Sequence, residues 1–262
     1  MGTLQGRPVA VKRVLKARVP FADREVSHLK NVDHHQNVIR YYFCGSDNPN
    51  YFDIALELCS ASLFDIMERR DGDDPKHANF REIHADFDTK RALREITSGL
   101  AHLHFHGIVH RDIKPQNILI CISNADGGEP CGYRMVISDF GFSRKLESGE
   151  TSFEPTVGGV EGTPGWMAPE ILHGKVGTTT VEGVQMLQLT KAVDIFALGC
   201  LYYYCLMSGG HPFGDRSKRE ENTLWCWKSL QGLKDLKQDR SEADYVISLM
   251  LAAVAPAERC VC

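Results

Sequence analysis

The spacing of hydrophobic residues predicts strands near the start of the chain. Residues 7–14 (RPVAVKRV) hold valines at alternate positions, which is the pattern of a β-strand. Proline suits the first turn of a helix, so a helix is expected from Pro20 to about Lys30. Two more strand-like runs, 38–44 and 52–58, are separated by the turn sequence SDNP.

Beyond residue 60 the apolar residues recur at spacings of three and four, which is typical of helices. The segment 108–142 instead holds short strand pieces and polar loops. We therefore predict an α+β fold, with a small strand-rich part joined near residues 59–63 to a larger helical part. Helices are predicted at 62–70, 88–104, 192–207 and 245–253.

Composition narrows the class of protein. Of 262 residues, 43% are hydrophobic and 24% are charged, as in ordinary globular proteins, which excludes disorder, collagen and coiled coil as overall descriptions. The net charge of −4 gives no overall attraction to nucleic acid or to an anionic membrane. We expect no direct nucleic-acid binding by this chain.

The cysteines and apolar runs indicate a cytosolic chain. The nine cysteines include no CxxC pair, which favours a reducing compartment and small buried thiols over disulfides or a zinc site. No signal-peptide core opens the sequence, and the apolar run 195–207 is too short to cross a bilayer. We expect no membrane segment in the chain.

Two polar motifs carry the candidate chemistry. HRDIKPQN at 110–117 precedes the apolar run ILI, and DFG at 139–141 follows the strand-like MVI. Either motif alone would pass for a polar loop beside a strand. Their order, with Asp139 standing 27 residues after Asp112, makes coincidence a poor explanation.

These motifs resemble the signature of the protein kinase superfamily. VAVK at 9–12 is similar to the nucleotide-contacting strand, Glu25 stands where the partner of its lysine is expected, and APE occurs at 168–170. The resemblance extends from residue 9 to residue 259. It implies a bilobal kinase-like fold, with a strand-rich N-lobe and a larger helical C-lobe.

The resemblance implies ATP and Mg²⁺ as ligands. Asp139 would bind the Mg²⁺ that bridges the phosphates, and Asn117 would bind a second ion, since both side chains offer the oxygen ligands that Mg²⁺ prefers. Lys12, held by Glu25, would bind the α and β phosphates. Alone, Lys12 and Glu25 would be ordinary surface charges, and only their shared register assigns them this role.

The resemblance also implies catalytic roles for residues of the HRDIKPQN motif. Asp112 would orient the substrate hydroxyl and accept its proton, and Lys114 would neutralise charge on the transferred group. A lysine two residues after the aspartate, with Thr163 before APE, resembles kinases that act on serine and threonine of proteins. Thr163 would hydrogen-bond both Asp112 and Lys114; alternatively it is a plain turn residue.

The adenine would lie against the segment that joins the lobes. Glu57 and Cys59 would offer backbone carbonyl and amide groups to it. Leu56 would lie at the back of this pocket and Ala10 on its roof. Alternatively, these residues form an ordinary strand end with no ligand contact.

The activation segment offers regulatory sites. Arg111 precedes Asp112, and such an arginine usually needs an anion when it is buried; phosphorylation would supply one by pairing with it. Glu154 would partly substitute as a built-in charge, and a plain flexible polar loop is an equal alternative for any one site. The candidate phosphoacceptors are Thr151, Ser152 and Thr156.

Three more residues are given structural roles by the resemblance. Asp194 resembles the buried aspartate that braces the catalytic loop. Glu170 of APE and Arg259 resemble an ion pair that holds the end of the activation segment.

A narrower resemblance is to the inositol-requiring endoplasmic-reticulum stress sensors. It implies a kinase part between a membrane helix and a nuclease, facing the cytosol and autophosphorylating in trans between like subunits. The nuclease activity has no corresponding residues in this chain. The stretches that carry the resemblance are 21–26, 37–41, 98–104, 137–141 and 211–214.

The glycine-rich loop of kinases does not precede Lys12, because Gly2 and Gly6 stand too close to it. We expect residues 1–59 to form an incomplete N-lobe with an unpaired strand edge, and residues 60–262 to form the C-lobe. The chain would then bind ATP poorly and turn over slowly compared with an N-terminally extended form.

Two other functions compete with an active kinase. A nucleotide-sensing scaffold would use ATP or ADP only to set an interface between subunits, but it has no chemical need for Lys12, Asp112, Asn117 and Asp139 together. A small-molecule kinase has no use for an APE-type peptide platform.

Overall fold

The computed structural model describes residues 1–15, 19–46, 48–68, 87–124, 130–153, 162–175, 189–236 and 240–252. The chain divides into two compact units, one of residues 1–108 and 115–143 and the other of 109–114 and 144–262. Both contain helices and strands, as the α+β class requires. The border of the lobes at residue 59 stays a prediction.

The first unit contains a four-stranded antiparallel sheet of order β1-β2-β4-β3. β2 pairs with β4 along its length, from Val9 opposite Glu57 to Leu15 opposite Tyr51. This register fixes which side chains of the two strands share a face. The strands are β1 (Gly2–Leu4), β2 (Arg7–Leu15), β3 (Tyr41–Gly45) and β4 (Tyr51–Glu57).

The expectation that β2 has an unpaired edge was wrong at its first residues. β1 folds back on it and places Leu4 opposite Arg7. The connecting residues Gln5 and Gly6 have φ values of 50° and 80°, the geometry of the two-residue turn that matches the twist of paired strands. Glycine adopts positive φ without a steric penalty, so the sequence Gln-Gly permits this hairpin.

Helix α1 (Val19–Val32) confirms the helix predicted from residue 20. Its Val26 packs with Ile54 of β4 in a small apolar core. Two polar side chains of α1 are buried as well: Glu25 is 3% exposed and His28 is 6% exposed. The hydrophobic residues packed around this core are Val14, Tyr41, Cys44, Phe52 and Leu56.

A second sheet of the first unit has the order β5-β7-β8. β7 and β8 form a hairpin in which Ile118 lies opposite Ile137. The helix predicted at 88–104 is confirmed as α3, and Asp88 caps it by accepting hydrogen bonds from the next turn's amides. The elements are β5 (Ala61–Ser62), α2 (Leu63–Glu68), α3 (Thr89–Phe105), β7 (Ile118–Asn124) and β8 (Pro130–Ile137), with β6 (Ile108–Val109) at the border of the units.

Side chains cover the outer edge of β8. Glu95 of α3 accepts a hydrogen bond from the amide of Met135 at 2.7 Å, and Asn37 donates to the carbonyl of Met135 at 2.8 Å. Ile39 donates its amide to the carbonyl of Ile137. The strand predicted at 38–44 therefore begins only at residue 41, because the residues before it pair with β8 instead.

Two cysteines form a disulfide, whereas the sequence favoured buried thiols for most of the nine. Cys59 is bonded to Cys121. Ser60 donates its amide to Ile120, and Ala61 lies opposite Ile120 in the sheet, so the register of β5 on β7 brings the two cysteines together.

The second unit is mainly helical. Helix α5 is buried over most of its surface and packs against α7. It confirms the helix predicted at 192–207, whereas α7 begins five residues before the predicted start at 245, because its polar first turn carries no apolar repeat. The elements are β9 (Arg144–Lys145), β10 (Ser152–Phe153), α4 (Pro169–Lys175), β11 (Leu189–Thr190), α5 (Ala192–Leu206), α6 (Arg219–Leu224) and α7 (Arg240–Ala252).

Among the described residues, the structure contains no helix with both the length and the apolar character needed to cross a membrane.

We predict that Gly99→Ala destabilises the first unit. A Cβ at this position of α3 would lie 2.6 Å from the carbonyl oxygen of Asn37 and 3.2 Å from Ile137. Alanine favours a helix over glycine by about 1 kcal/mol, yet we expect a net loss of about 1–3 kcal/mol from this overpacking. Urea denaturation measures it, with Ser98→Ala, one residue away on α3, as the control. An unchanged or increased stability of Gly99→Ala would contradict the close packing described here.

We predict that buried His211 makes the protein less stable in acid. Burial, and then the charge of Arg219, lower the pKa of His211 to about 3. Below its ordinary value of 6.5 the unfolded state takes up a proton that the folded state refuses, so stability falls as the pH falls towards 3. His211→Asn should flatten the slope of unfolding free energy between pH 6 and pH 5 by about 1 kcal/mol per pH unit. Equal slopes in the two proteins would show that the folded state protonates this ring.

Candidate active site

A lysine and two carboxylates form the charged centre of the first unit. Lys12 of β2 donates to both carboxylate oxygens of Glu25 on α1, at 2.7 and 2.8 Å, and to Asp139 at 2.7 Å. Burial by itself would lower the pKa of Lys12, but the two carboxylates outweigh it and raise this pKa above its usual value. Lys12 therefore stays charged, and the Glu25 side chain, only 4% exposed, has its counter-ion.

The β7–β8 hairpin positions Asn117 and Asp139. Asn117 directly precedes Ile118 of β7, and its carbonyl accepts hydrogen bonds from the amide and hydroxyl of Ser138, both at 2.9 Å. Ile118 pairs with Ile137, so Asn117 and Asp139 stand at the same end of the hairpin. Asp139 has φ of 62°, in the left-handed region, and its side chain is 42% exposed. The hairpin end thus offers one carboxamide and one accessible carboxylate.

A contact that the sequence analysis missed ties α1 to the segment after DFG. Ser143 donates its hydroxyl to the carbonyl of Phe140 at 2.6 Å, so its oxygen accepts a hydrogen bond from Nδ1 of His28 at 2.7 Å. Both side chains are buried. His28 lies three residues after Glu25 on the same helix face, and this spacing was the available signal.

The residues predicted to contact adenine lie on β2, on β4 and just after β4. Ala10 stands opposite Leu56 in the sheet. The amide of Glu57 already donates to the carbonyl of Arg40 at 2.9 Å, and the Glu57 carboxylate pairs with a guanidinium, that of Arg134. Cys59 follows β4 and is held by its disulfide.

In the second unit, three side chains form a hydrogen-bonded network. Lys114 donates to Asp112 at 2.7 Å and to the hydroxyl of Thr163 at 2.6 Å. Thr163 donates this hydroxyl to the other oxygen of Asp112 at 2.5 Å. The side chain of Asp112 is 1% exposed and that of Lys114 is 16% exposed. Both hydrogen bonds expected of Thr163 are thus present in the structure.

A fully buried carboxylate holds the backbone next to this network. Asp194, in the first turn of α5, accepts hydrogen bonds from the amides of His110 and Arg111 at 2.8 and 2.7 Å. Arg111 has φ of 66°, a strained conformation for a residue other than glycine. The two hydrogen bonds to a charged acceptor stabilise that conformation.

Those predicted regulatory residues that the structure describes lie in separate parts of the second unit. The guanidinium groups of Arg111 and Arg144 lie 5.5 and 5.1 Å from the ring centre of Phe153. Ser152, half-buried, is paired with β11. Glu170 is buried in the first turn of α4. Thr156, Glu154 and Arg259 lie outside the described residues.

Comparison with known proteins identifies the family. Residues 2–260 match the family described as protein kinase domain. The chain is 41% identical over 251 residues to the serine/threonine-protein kinase/endoribonuclease ire-1 of Caenorhabditis elegans, covering 95% of this chain and 23% of that protein. It is 41% identical over 251 residues to the serine/threonine-protein kinase/endoribonuclease IRE2 of Homo sapiens, covering 96% and 24%. It is 38% identical over 242 residues to the sensor for unfolded proteins in the ER ire1 of Schizosaccharomyces pombe, covering 88% and 22%.

The chain therefore belongs to the protein kinase domain family, and the bilobal kinase fold predicted from its motifs is confirmed. Within that family it is a serine/threonine protein kinase domain homologous to the kinase part of the IRE1 proteins. The chain spans about a quarter of the length of these relatives.

We predict that Asp194→Asn destabilises the second unit. An asparagine keeps one acceptor oxygen but turns an NH₂ group towards the other backbone amide, which loses its partner. Removing such a buried, charged acceptor costs about 1.5–3 kcal/mol, measurable by thermal or urea denaturation. Asp244→Asn, an exposed change of the same type on α7, serves as the control and should leave the stability unchanged. Equal stabilities of the two variants would mean that Asp194 does not hold residues 110–111.

Proposed function

We propose that this domain transfers the γ-phosphoryl group of ATP, with Mg²⁺, to serine and threonine hydroxyls of proteins. The observation that carries the proposal is the network of Asp112, Lys114 and Thr163. It combines a buried proton acceptor, a cation and an aliphatic hydroxyl within 2.5–2.7 Å of one another.

We assign Asp112 as the group that accepts the proton of the substrate hydroxyl. Thr163 already shows that an aliphatic hydroxyl donates to this carboxylate at 2.5 Å, which is the contact that a substrate serine or threonine would make. As the hydroxyl oxygen forms its bond to the γ-phosphorus and the bond to ADP breaks, Asp112 accepts the proton. Lys114 offsets negative charge on the transferred group.

The first unit supplies the groups for the nucleotide. Lys12 is held charged and oriented by Glu25, which suits it to bind the α and β phosphates. Asp139 and Asn117 provide hard oxygen donors at one end of a hairpin, a set that fits Mg²⁺. When bound, this ion neutralises phosphate charge. Ala10, Leu56, Glu57 and Cys59 are assigned to adenine, with the amide contact given to Cys59 because that of Glu57 is already engaged.

We propose that phosphorylation of the activation segment regulates the activity of the domain. Two guanidinium groups, of Arg111 and Arg144, lie on the Phe153 ring, next in sequence to Ser152. A phosphate on Ser152 or Thr156 would add charge that arginine binds strongly. Glu170 and Arg259 are proposed to pair at the end of the same segment.

The relatives suggest the setting of the domain. One of them is named as a sensor for unfolded proteins in the ER. We assign this chain to the kinase part of such a sensor, on the cytosolic face of the endoplasmic reticulum. Two copies would then associate and phosphorylate each other.

The test is phosphate transfer by Asp112→Asn. Incubated with labelled ATP and Mg²⁺, this variant should incorporate phosphate into itself and into a serine/threonine peptide at a rate about 100-fold or more below that of the unchanged chain, since a general base contributes roughly that much. The exposed substitution Asp215→Asn is the control and should keep full activity.

Unchanged incorporation by Asp112→Asn would overturn the proposed role of this residue. Absence of incorporation in the unchanged chain as well as in the variant, with self-association intact, would favour the nucleotide-sensing scaffold instead. Phosphate found on tyrosine rather than on serine or threonine would contradict the assigned substrate class.

A further inference from the structure

A group of histidines in the first unit takes no part in the proposed kinase reaction. His34 follows α1, and His102 and His106 lie one turn apart near the end of α3. The ring centres of His102 and His106 are 4.3 Å apart, and that of His34 is 4.8 and 5.8 Å from them. The spacing His-x-x-x-His on one helix places two imidazoles on the same face.

Each of the two histidines near the end of α3 has a ring nitrogen available to a ligand. Nδ1 of His106 lies 2.9 Å from the carbonyl oxygen of His102, to which it must donate, so its Nε2 carries the lone pair. The Nε2 of His102 is buried with no hydrogen-bond partner among the described residues, so it is available to a ligand.

This arrangement is the one that metal-binding histidines adopt. Such a histidine donates one ring N–H to a backbone carbonyl or carboxylate, which fixes the ring and leaves the other nitrogen for the metal. Here the ring of His106 is fixed by the carbonyl of His102. A buried polar atom without a partner otherwise costs about 1–3 kcal/mol, so the Nε2 of His102 points to a ligand.

His34 supplies the third donor. One nitrogen from each of the three rings lies within 4.8 Å of those of the other two. A tetrahedral Zn²⁺ with Zn–N distances of about 2.0–2.1 Å holds its ligand nitrogens about 3.3 Å apart. His34 is exposed, so its side chain is able to rotate through the remaining distance.

His35 has a different position from these three. It stacks on His102 with ring centres 4.6 Å apart, its Nδ1 accepts a hydrogen bond from the amide of Asn37, and its Nε2 faces the Ser98 hydroxyl at 3.4 Å.

We propose that His34, His102 and His106 bind one divalent transition-metal ion, Zn²⁺ by preference, with water in the fourth position. Imidazole nitrogens suit Zn²⁺, whereas Mg²⁺ prefers oxygen ligands. The ion would link the segment after α1 to the end of α3, two elements more than 60 residues apart in sequence. Its role is to stabilise their packing and is independent of phosphoryl transfer.

The test is Zn²⁺ binding by the full chain after treatment with a chelator, at pH 7.5 and without nucleotide. We expect one ion per chain, measured by competition with a chromophoric chelator, and a higher melting temperature with Zn²⁺ but not with Mg²⁺, because an ion that binds only the folded state stabilises it. His34→Gln, at an exposed position, should weaken Zn²⁺ binding about tenfold or more, equal to about 1.4 kcal/mol. His106→Gln should do the same.

The matched control is His104→Gln, since His104 lies on the same helix outside the group and its loss should leave Zn²⁺ binding unchanged. No stoichiometric binding at micromolar Zn²⁺ would overturn the proposal. So would an affinity that His34→Gln and His106→Gln leave unaltered.

Discussion

The burial of Glu25 is the constraint on which the first unit depends. A carboxylate that is 3% exposed is costly to the fold unless a cation reaches it. Lys12 reaches it because β2 is locked opposite β4, with Lys12 beside Ile54. The same ammonium group contacts Asp139. One electrostatic requirement therefore fixes together a strand, a helix and Asp139, two residues beyond the β7–β8 hairpin.

In the second unit, hydrogen bonds from the backbone stabilise another buried carboxylate. Asp194 is completely buried, and its oxygens accept from the amides of residues 110 and 111. This fixes a left-handed turn directly before Asp112, whose carboxylate is then saturated by Lys114 and Thr163. The carboxylate of Asp112, which we propose as the proton acceptor, is thus held by a preorganised polar network.

The helices and the polar motifs were predictable from the sequence because each is a pattern of residues close together in the chain. α3 and α5 lie within one residue of their predicted bounds, since apolar spacing records burial directly. The β1 hairpin and the Cys59–Cys121 disulfide were not predicted, because each depends on strand register, which pairs residues distant in sequence. The His28–Ser143 contact and the histidine group were missed because spacing on a helix shows which residues share a face but not which residues they contact.

The attachment of α1 at two points has a mechanical consequence. Glu25 and His28 sit one turn apart and face different partners, Lys12 and Ser143. Rotating or sliding the helix by even one residue would break both contacts at once and expose a carboxylate to apolar surroundings. Intermediate positions are therefore unfavourable, and the helix has two favoured states, one with both contacts made and one with both contacts broken.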